Sequence, residues 1–256
     1  MSRTRTLRAA VGLAVIGVTV ALAGCGSSSS GASTGSASVA PPTVLAAASL
    51  SKVFPQIDPG ATYTFGGSGT LATQIEQGAP GDVFAAASAK QPAELLAKGL
   101  ITAPVKFATN RLVLVVPSGN PAHITTVDDI TKPGVKLVIC AASVPCGDYA
   151  RSVFTNLGIS AAAMKNVVSE ASDVTQVVAQ VALGQADAGF VYITDADAAN
   201  GKLTVINLPA AAKPATADYI AVVTAGSHQT GAAAFVQDVL SPRGQAILRA
   251  AGFGAP

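Results

Sequence analysis

Short apolar runs of strand length alternate along the chain with segments whose apolar residues recur at helical spacing. The runs at 43–48, 61–65, 82–86, 111–116, 136–140, 187–192, 203–207 and 219–223 read as strands. Val174, Val177, Val178 and Val181 fall at i, i+3, i+4 and i+7, which makes one apolar stripe on a helix. Ala232, Phe235, Val236 and Val239 repeat that spacing before Pro242 stops it. Leu71 and Ile75 mark a shorter helix ending at Gly78, a residue type suited to the position after a helix end. Leu50, Val53, Phe54 and Ile57 share the helical spacing after the first strand. This alternation predicts an α/β protein built from βα units with a mostly parallel sheet. There is no internal repeat and no coiled-coil pattern.

The positions where helices begin carry more information. Ser49 directly follows the first strand, and Ser68 sits in Gly66-Gly67-Ser68-Gly69-Thr70 just before the Leu71 helix. Pro145-Cys146-Gly147 precedes an apolar-periodic run at 148–157, and Asp173-Val174-Thr175-Gln176 pairs an N-cap residue with a Gln three positions on. Each junction offers backbone N–H groups without helical partners, and a helix start also carries partial positive charge, so each is a potential anion contact. Singly, each Ser or Asp is equally an ordinary cap. Functional meaning requires that several converge on one cleft, which the sequence does not show.

Composition changes the picture at the N-terminus. Arg3, Arg5 and Arg8 precede an uncharged, largely apolar run at 9–24, and Leu22-Ala23-Gly24-Cys25 closes it. A basic start, a short apolar centre and small residues before a cleavage point describe a secretory signal at 1–24. The run falls short of the roughly 18 apolar residues of a membrane-spanning helix, with an uncleaved anchor as the alternative. Leu-Ala-Gly-Cys resembles the lipobox of bacterial lipoproteins, which implies a diacylglycerol on Cys25. Residues 26–42 are almost entirely Ser, Gly, Ala, Thr and Pro without charge, so 25–42 is expected to be a lipidated flexible tether. The 214 residues from Thr43 onward are enough for one large domain or two modest ones.

Removing the signal takes away three Arg, leaving 13 basic against 14 acidic residues. The mature chain is close to neutral and holds no Lys/Arg cluster, which excludes a nucleic-acid partner. Cys140 and Cys146 remain, with five residues between them. An even pair in an oxidising compartment points to a local disulfide, and two buried free thiols are the alternative. No His lies nearby to complete a metal site.

Enzymatic readings lack partners. Ser49-Leu50-Ser51-Lys52 matches the S-x-x-K nucleophile motif of serine β-lactamases and penicillin-binding proteins, but the S-D-N and K-T-G companions are missing. Thr70 stands where a G-x-S-x-G elbow needs Gly, and no Gly-Lys-Ser/Thr phosphate loop follows. The two histidines, His123 and His228, adjoin turn residues and read as loop positions. Without a base a hydrolase has no means of activating its nucleophile, so a binding protein is expected and a Ser49/Lys52 acyl-enzyme is the distant alternative.

Taken together, the motifs are similar to those of the molybdate-binding proteins of ABC importers. The resemblance rests on Ala46-Ala47-Ala48-Ser49-Leu50, Gly67-Ser68-Gly69-Thr70-Leu71-Ala72, Gln74-Ile75-Glu76-Gln77-Gly78-Ala79-Pro80 and Asp82-Val83-Phe84. It continues in Val144-Pro145-Cys146-Gly147, Asp173-Val174, Gly189-Phe190-Val191-Tyr192 and the C-terminal Ser241-Pro242-Arg243-Gly244-Gln245 to Gly252-Phe253. It implies a two-lobed periplasmic-binding-protein (type II) fold, with 43–111 and 219–256 forming lobe 1 and 112–218 forming lobe 2. The crossovers then fall near Asn110 and Arg111 and near Asp218 and Tyr219, with the ligand cleft between the lobes.

The resemblance further implies oxyanion contacts from the hydroxyls and backbone N–H groups of Ser49 and Ser68, the backbone N–H groups of Cys146 and Val174, and the Tyr192 phenol. The implied function is high-affinity capture of molybdate and tungstate by a monomer and delivery to an ABC permease. The protein would sit outside the cytoplasm, lipid-anchored to the outer face of the cytoplasmic membrane, with no cofactor and no metal beyond the molybdenum of its ligand. A receptor for sulfate, thiosulfate or a small organic acid is the alternative. Two departures stand out. The stretch 50–65 is about two helical turns shorter than the family's and contains Pro55, so the helix after Ser49 is expected to be stunted. Cys146 stands where the family usually has Ala, and a disulfide to Cys140 would stiffen its loop.

Overall fold

The computed structural model describes residues 41–213, 216–224, 226–227 and 230–256. The signal segment, Cys25, nearly all of the tether and His228 lie outside these residues. The strands are β1 (Thr43–Ala47), β2 (Thr62–Gly66), β3 (Val83–Ala86), β4 (Val105–Pro117), β5 (Leu137–Cys140), β6 (Val167–Ala171), β7 (Ala188–Tyr192), β8 (Leu203–Ile206) and β9 (Thr216–Val223). The helices are α1 (Phe54–Ile57), α2 (Ser68–Glu76), α3 (Lys90–Ala97), α4 (Pro145–Leu157), α5 (Ser160–Lys165), α6 (Val174–Ala182), α7 (Ile193–Ala198), α8 (Thr230–Leu240) and α9 (Pro242–Ala250). Among the described residues no helix is long and apolar enough to cross a membrane.

The strands form one sheet in the order β2-β1-β3-β9-β4-β7-β5-β6, with β8 also on β4. Pairing is parallel within β2-β1-β3 and within β7-β5-β6, as βα units require, but antiparallel in the four pairs made by β9, β4 and β8. The sheet is therefore mixed and not mostly parallel as expected, because the long β4 and the returning β9 enter it without a parallel crossover. The 13-residue β4 serves both ends of the sheet: Val105–Arg111 pairs with β9, and residues 112–117 pair with β7 and β8. Its first half was missing from the expected strands because Lys106, Thr109 and Asn110 interrupt the apolar run. β6 was missed for a similar reason, since its Val-Val-Ser-Glu-Ala alternates at the sheet edge with half its side chains exposed.

The apolar stripes bury as their spacing predicts. Val174, Val177 and Val181 of α6 are buried, as are Ala232, Phe235, Val236 and Val239 of α8. After β1 the outcome is sharper than expected. Leu50, Val53, Phe54 and Ile57 are all buried, yet Ser49 lies in a three-residue 3-10 turn (Ala48–Leu50), and α1 is a separate four-residue helix with Pro55 in its first turn. Pro55 is thus accommodated at a helix start, where its missing N–H costs nothing. The helix is stunted, and Ser49 is left without an α-helix of its own.

Candidate functional site

Six chain segments bring their ends to one small cavity: the end of β1, the β2–α2 junction, Ala87 after β3, the start of α4, the start of α6 and the end of β7. Ser49, Ser68, Cys146, Val174 and Tyr192, the five residues singled out from the sequence, all line it. Its free volume is about 10 Å³, roughly what one water molecule needs. No Lys, Arg or His is among its lining residues. Asp173 is its one charged neighbour, and that carboxylate is engaged by the Thr175 hydroxyl at 2.6 Å and the Gln176 N–H at 3.1 Å as the cap of α6.

Each donor has a local cause. Ser68 is the first residue of α2, with Gly67 in the cap position. Its Oγ accepts the Ala87 N–H at 3.1 Å, and a backbone N–H can only donate, so the Ser68 hydroxyl hydrogen is left for another acceptor. Pro145 opens α4 without an N–H, so Cys146 supplies the first free donor of that helix end. Val174 opens α6 with its N–H likewise outside the helical ladder, because Asp173 caps Gln176 instead. The Tyr192 phenol is only 1 % exposed, and its oxygen has no hydrogen-bond partner among the described residues. Such orphaned buried groups are rare and call for an explanation. Burial, followed by the nearby Tyr219, Tyr149, Asp195 and Asp148, holds the phenol well above its ordinary pKa, so it stays a donor.

The Cys140–Cys146 pair is a disulfide, tying the end of β5 to the second residue of α4. Closing so short a loop is worth about 2 kcal/mol. Cys140→Ser is therefore expected to lower the melting temperature by several degrees and to weaken any ligand held by the Cys146 N–H. A titration and a melting curve unchanged from the wild type would rule out a stiffening role.

Some site residues carried no signal in the sequence. Tyr219, fully buried on β9, meets the Ser49 hydroxyl at 2.6 Å across 170 positions of chain. Tyr149 and Tyr219 pack edge-on against Tyr192, with ring centroids at 6.5 and 5.9 Å. Asp195 is buried behind the site and accepts the Tyr192 N–H at 3.3 Å. Burial pushes its carboxyl up to about 7, with that N–H opposing and Asp173 adding to the rise. The folded protein thus keeps a proton that the unfolded chain releases near pH 4, so this group makes ligand-free stability fall as pH rises from about 4 to about 7. Asp195→Asn, which can still accept the Tyr192 N–H, is expected to melt higher than the wild type at about pH 8 and to flatten that fall. Parallel melting curves for the two proteins across the range would refute this assignment.

The residues of the S-x-x-K match do not form a nucleophile and base. The Ser49 hydroxyl is engaged by Tyr219, and the Lys52 side chain is exposed. His123 lies in an exposed turn with φ of 51°.

The family described as bacterial extracellular solute-binding protein matches this chain over residues 41–254. The chain belongs to that family. Among its relatives, the molybdate-binding protein ModA of Mycobacterium tuberculosis is 38% identical, with 98% of this chain and 100% of the relative covered. The molybdate-binding protein ModA of Escherichia coli is 30% identical over 82% of this chain and 88% of its own. In three dimensions, the periplasmic molybdate-binding protein of Azotobacter vinelandii aligns with a TM-score of 0.72 at 26% identity, covering 84% of this chain and 99% of that one. The α/β architecture of this solute-binding protein is therefore that of the two-lobed periplasmic binding proteins, and its cavity lies where strand ends and helix starts converge.

Proposed function

We propose that this solute-binding protein captures molybdate, and tungstate equally, outside the cytoplasm and delivers it to an ABC permease. The observation that carries this reading is a small cavity that gathers neutral donors and no Lys, Arg or His, with a buried phenol that has no hydrogen-bond partner among the described residues. A doubly charged tetrahedral oxyanion fits that chemistry. The Ser49 and Ser68 hydroxyls and N–H groups, the Cys146 and Val174 N–H groups and the Tyr192 phenol would replace its hydration shell. Hydrogen bonds to charged groups are worth roughly 1.5–3 kcal/mol each. About seven of them suffice for a nanomolar dissociation constant, near −12 kcal/mol, after desolvation and ordering costs.

The shell also explains selectivity. The five donors would offer no acceptor to the proton of hydrogen phosphate, because the Asp173 carboxylate at the cavity is engaged as the cap of α6. A cage set for metal–oxygen bonds would leave its donors stretched around the smaller sulfate. Tungstate is nearly the size of molybdate and is not discriminated against.

In this reading 43–111 and 219–256 form one lobe and 112–218 the other, and closure around the anion is the state the permease recognises. The 1–24 signal directs export, Cys25 carries the lipid, and the tether holds a monomeric receptor at the outer face of the cytoplasmic membrane. The role is capture without turnover. Calorimetric titration with molybdate, tungstate, sulfate and phosphate tests the proposal. Tight, similar binding of the first two and far weaker binding of the others is expected, and sulfate binding as tight as molybdate would overturn it.

A further inference from the structure

Ser49 and Ser68 pose the same problem, because a hydroxyl can present either its hydrogen or its lone pairs to the cavity, and only the hydrogen attracts an anion. For Ser68 the protein settles the choice by aiming the Ala87 N–H at its oxygen. Ser49 has no such backbone donor. Its partner is the Tyr219 phenol at 2.6 Å, and either oxygen of that pair can donate.

The surroundings of Tyr219 decide the direction. Asn110 of β4 lies opposite Ala217 of β9, and Ala108 lies opposite Tyr219. Asn110 and Tyr219 are therefore diagonal neighbours on one face of the sheet, within reach of long side chains. The Asn110 amide cannot flip freely, because its Oδ1 accepts the Arg111 N–H at 2.9 Å, a group that only donates. The Nδ2 end consequently faces inward, giving one hydrogen to the Thr194 hydroxyl at 2.8 Å, and Asn110, like Ser49, offsets part of the rise that burial imposes on the Tyr219 phenol. The ring itself is clamped edge-on by Phe107, Tyr192 and Phe253, at centroid separations of 6.0, 5.9 and 5.3 Å.

We propose that Asn110 and Tyr219 are positioning residues that order the Ser49 hydroxyl: the Asn110 amide donates to the phenol oxygen, the phenol donates to Ser49 Oγ, and the Ser49 hydrogen is thereby turned to the cavity. The phenol is the more acidic of the two hydroxyls and so the better donor, which favours the same direction. The relay replaces what the sequence around Ser49 fails to provide. An α-helix start there would supply a field favouring anions, whereas Ser49 sits in a three-residue 3-10 turn. Asn110 and Tyr219 also stand on the two strands where the chain passes between the ends of the sheet, so the geometry of the Ser49 donor is tied to that crossing.

This inference rests on the anion-capture reading, and a double-mutant cycle separates the two. Molybdate is titrated calorimetrically into the full chain as wild type, Ser49→Ala, Tyr219→Phe and the double variant, with ligand-free melting recorded for each. Tyr219→Phe is expected to weaken binding about tenfold in the wild-type background and by less than about twofold in the Ser49→Ala background, because the relay acts only through Ser49. Equal losses in both backgrounds would mean that Tyr219 merely supports the fold, and would overturn the relay. Should Tyr219→Phe not fold, Asn110→Ala in the same cycle is expected to show the same collapse of its effect without Ser49, and an undiminished effect overturns the relay. A wild type that ignores molybdate overturns the reading of the site and the relay with it, whereas molybdate binding with additive losses removes the relay alone.

Discussion

Gly69→Ala is expected to weaken molybdate capture about a hundredfold or more and to lower the melting temperature of the ligand-free protein as well. Gly69 is the second residue of α2, and a Cβ there would run into the carbonyl oxygen of Ser143, in the loop before α4. Its neighbour Gly67 is pressed in the same way against the Ser172 carbonyl and the Val144 side chain. These two glycines let the lip carrying Ser49 and Ser68 approach the lip carrying Cys146, Val174 and Tyr192. An added methyl group holds the lips apart, so the anion loses part of one set of donors. Two charge-assisted hydrogen bonds at about 1.5 kcal/mol each amount to about a hundredfold. Alanine is a better helix former than glycine, so nothing in α2 itself is harmed. Calorimetry with molybdate and a ligand-free melting curve check both halves. An unchanged dissociation constant would show that the glycine contact is not part of the ligand-bound state.

Tyr192→Phe is expected to move stability and affinity in opposite directions. The phenol oxygen is buried without a partner among the described residues, and leaving such a group unsatisfied costs about 1–3 kcal/mol. Removing it should raise the ligand-free melting temperature by a few degrees for a chain of this size. The same change deletes a donor to the anion and should weaken binding about tenfold or more, at roughly 1.5 kcal/mol for one bond to a charged group. A purely structural tyrosine would behave differently, losing stability and leaving the titration alone. An unchanged titration would remove Tyr192 from the site.

Much of this was legible along the chain because it depends on neighbours in sequence. The valines of α6 bury as a stripe because their spacing matches the helical repeat, and Pro145, Gly67 and Asp173 mark helix starts through local backbone chemistry. The Cys140–Cys146 disulfide belongs to the same class, since six positions bring the two sulfurs together with little freedom. Where the pattern failed, the local signal was in conflict. The apolar spacing after Ser49 suggested a helix, while Pro55 and a short connection to β2 made burial in a 3-10 turn and a single helical turn the better solution.

The sequence by itself determined most of the strands, the apolar stripes of α2, α6 and α8, an export signal pattern, and a set of neutral donors at helix starts, while α3, α5, α7 and β6 left no pattern that was read. Only the tertiary structure decided that those donors share one cavity, and that Tyr219, Asn110 and Asp195 stand behind it. The physical reason is range. Capping and periodicity act within a turn or two of chain, whereas the Ser49–Tyr219 bond spans 170 positions and exists because β9 returns to the sheet between β3 and β4.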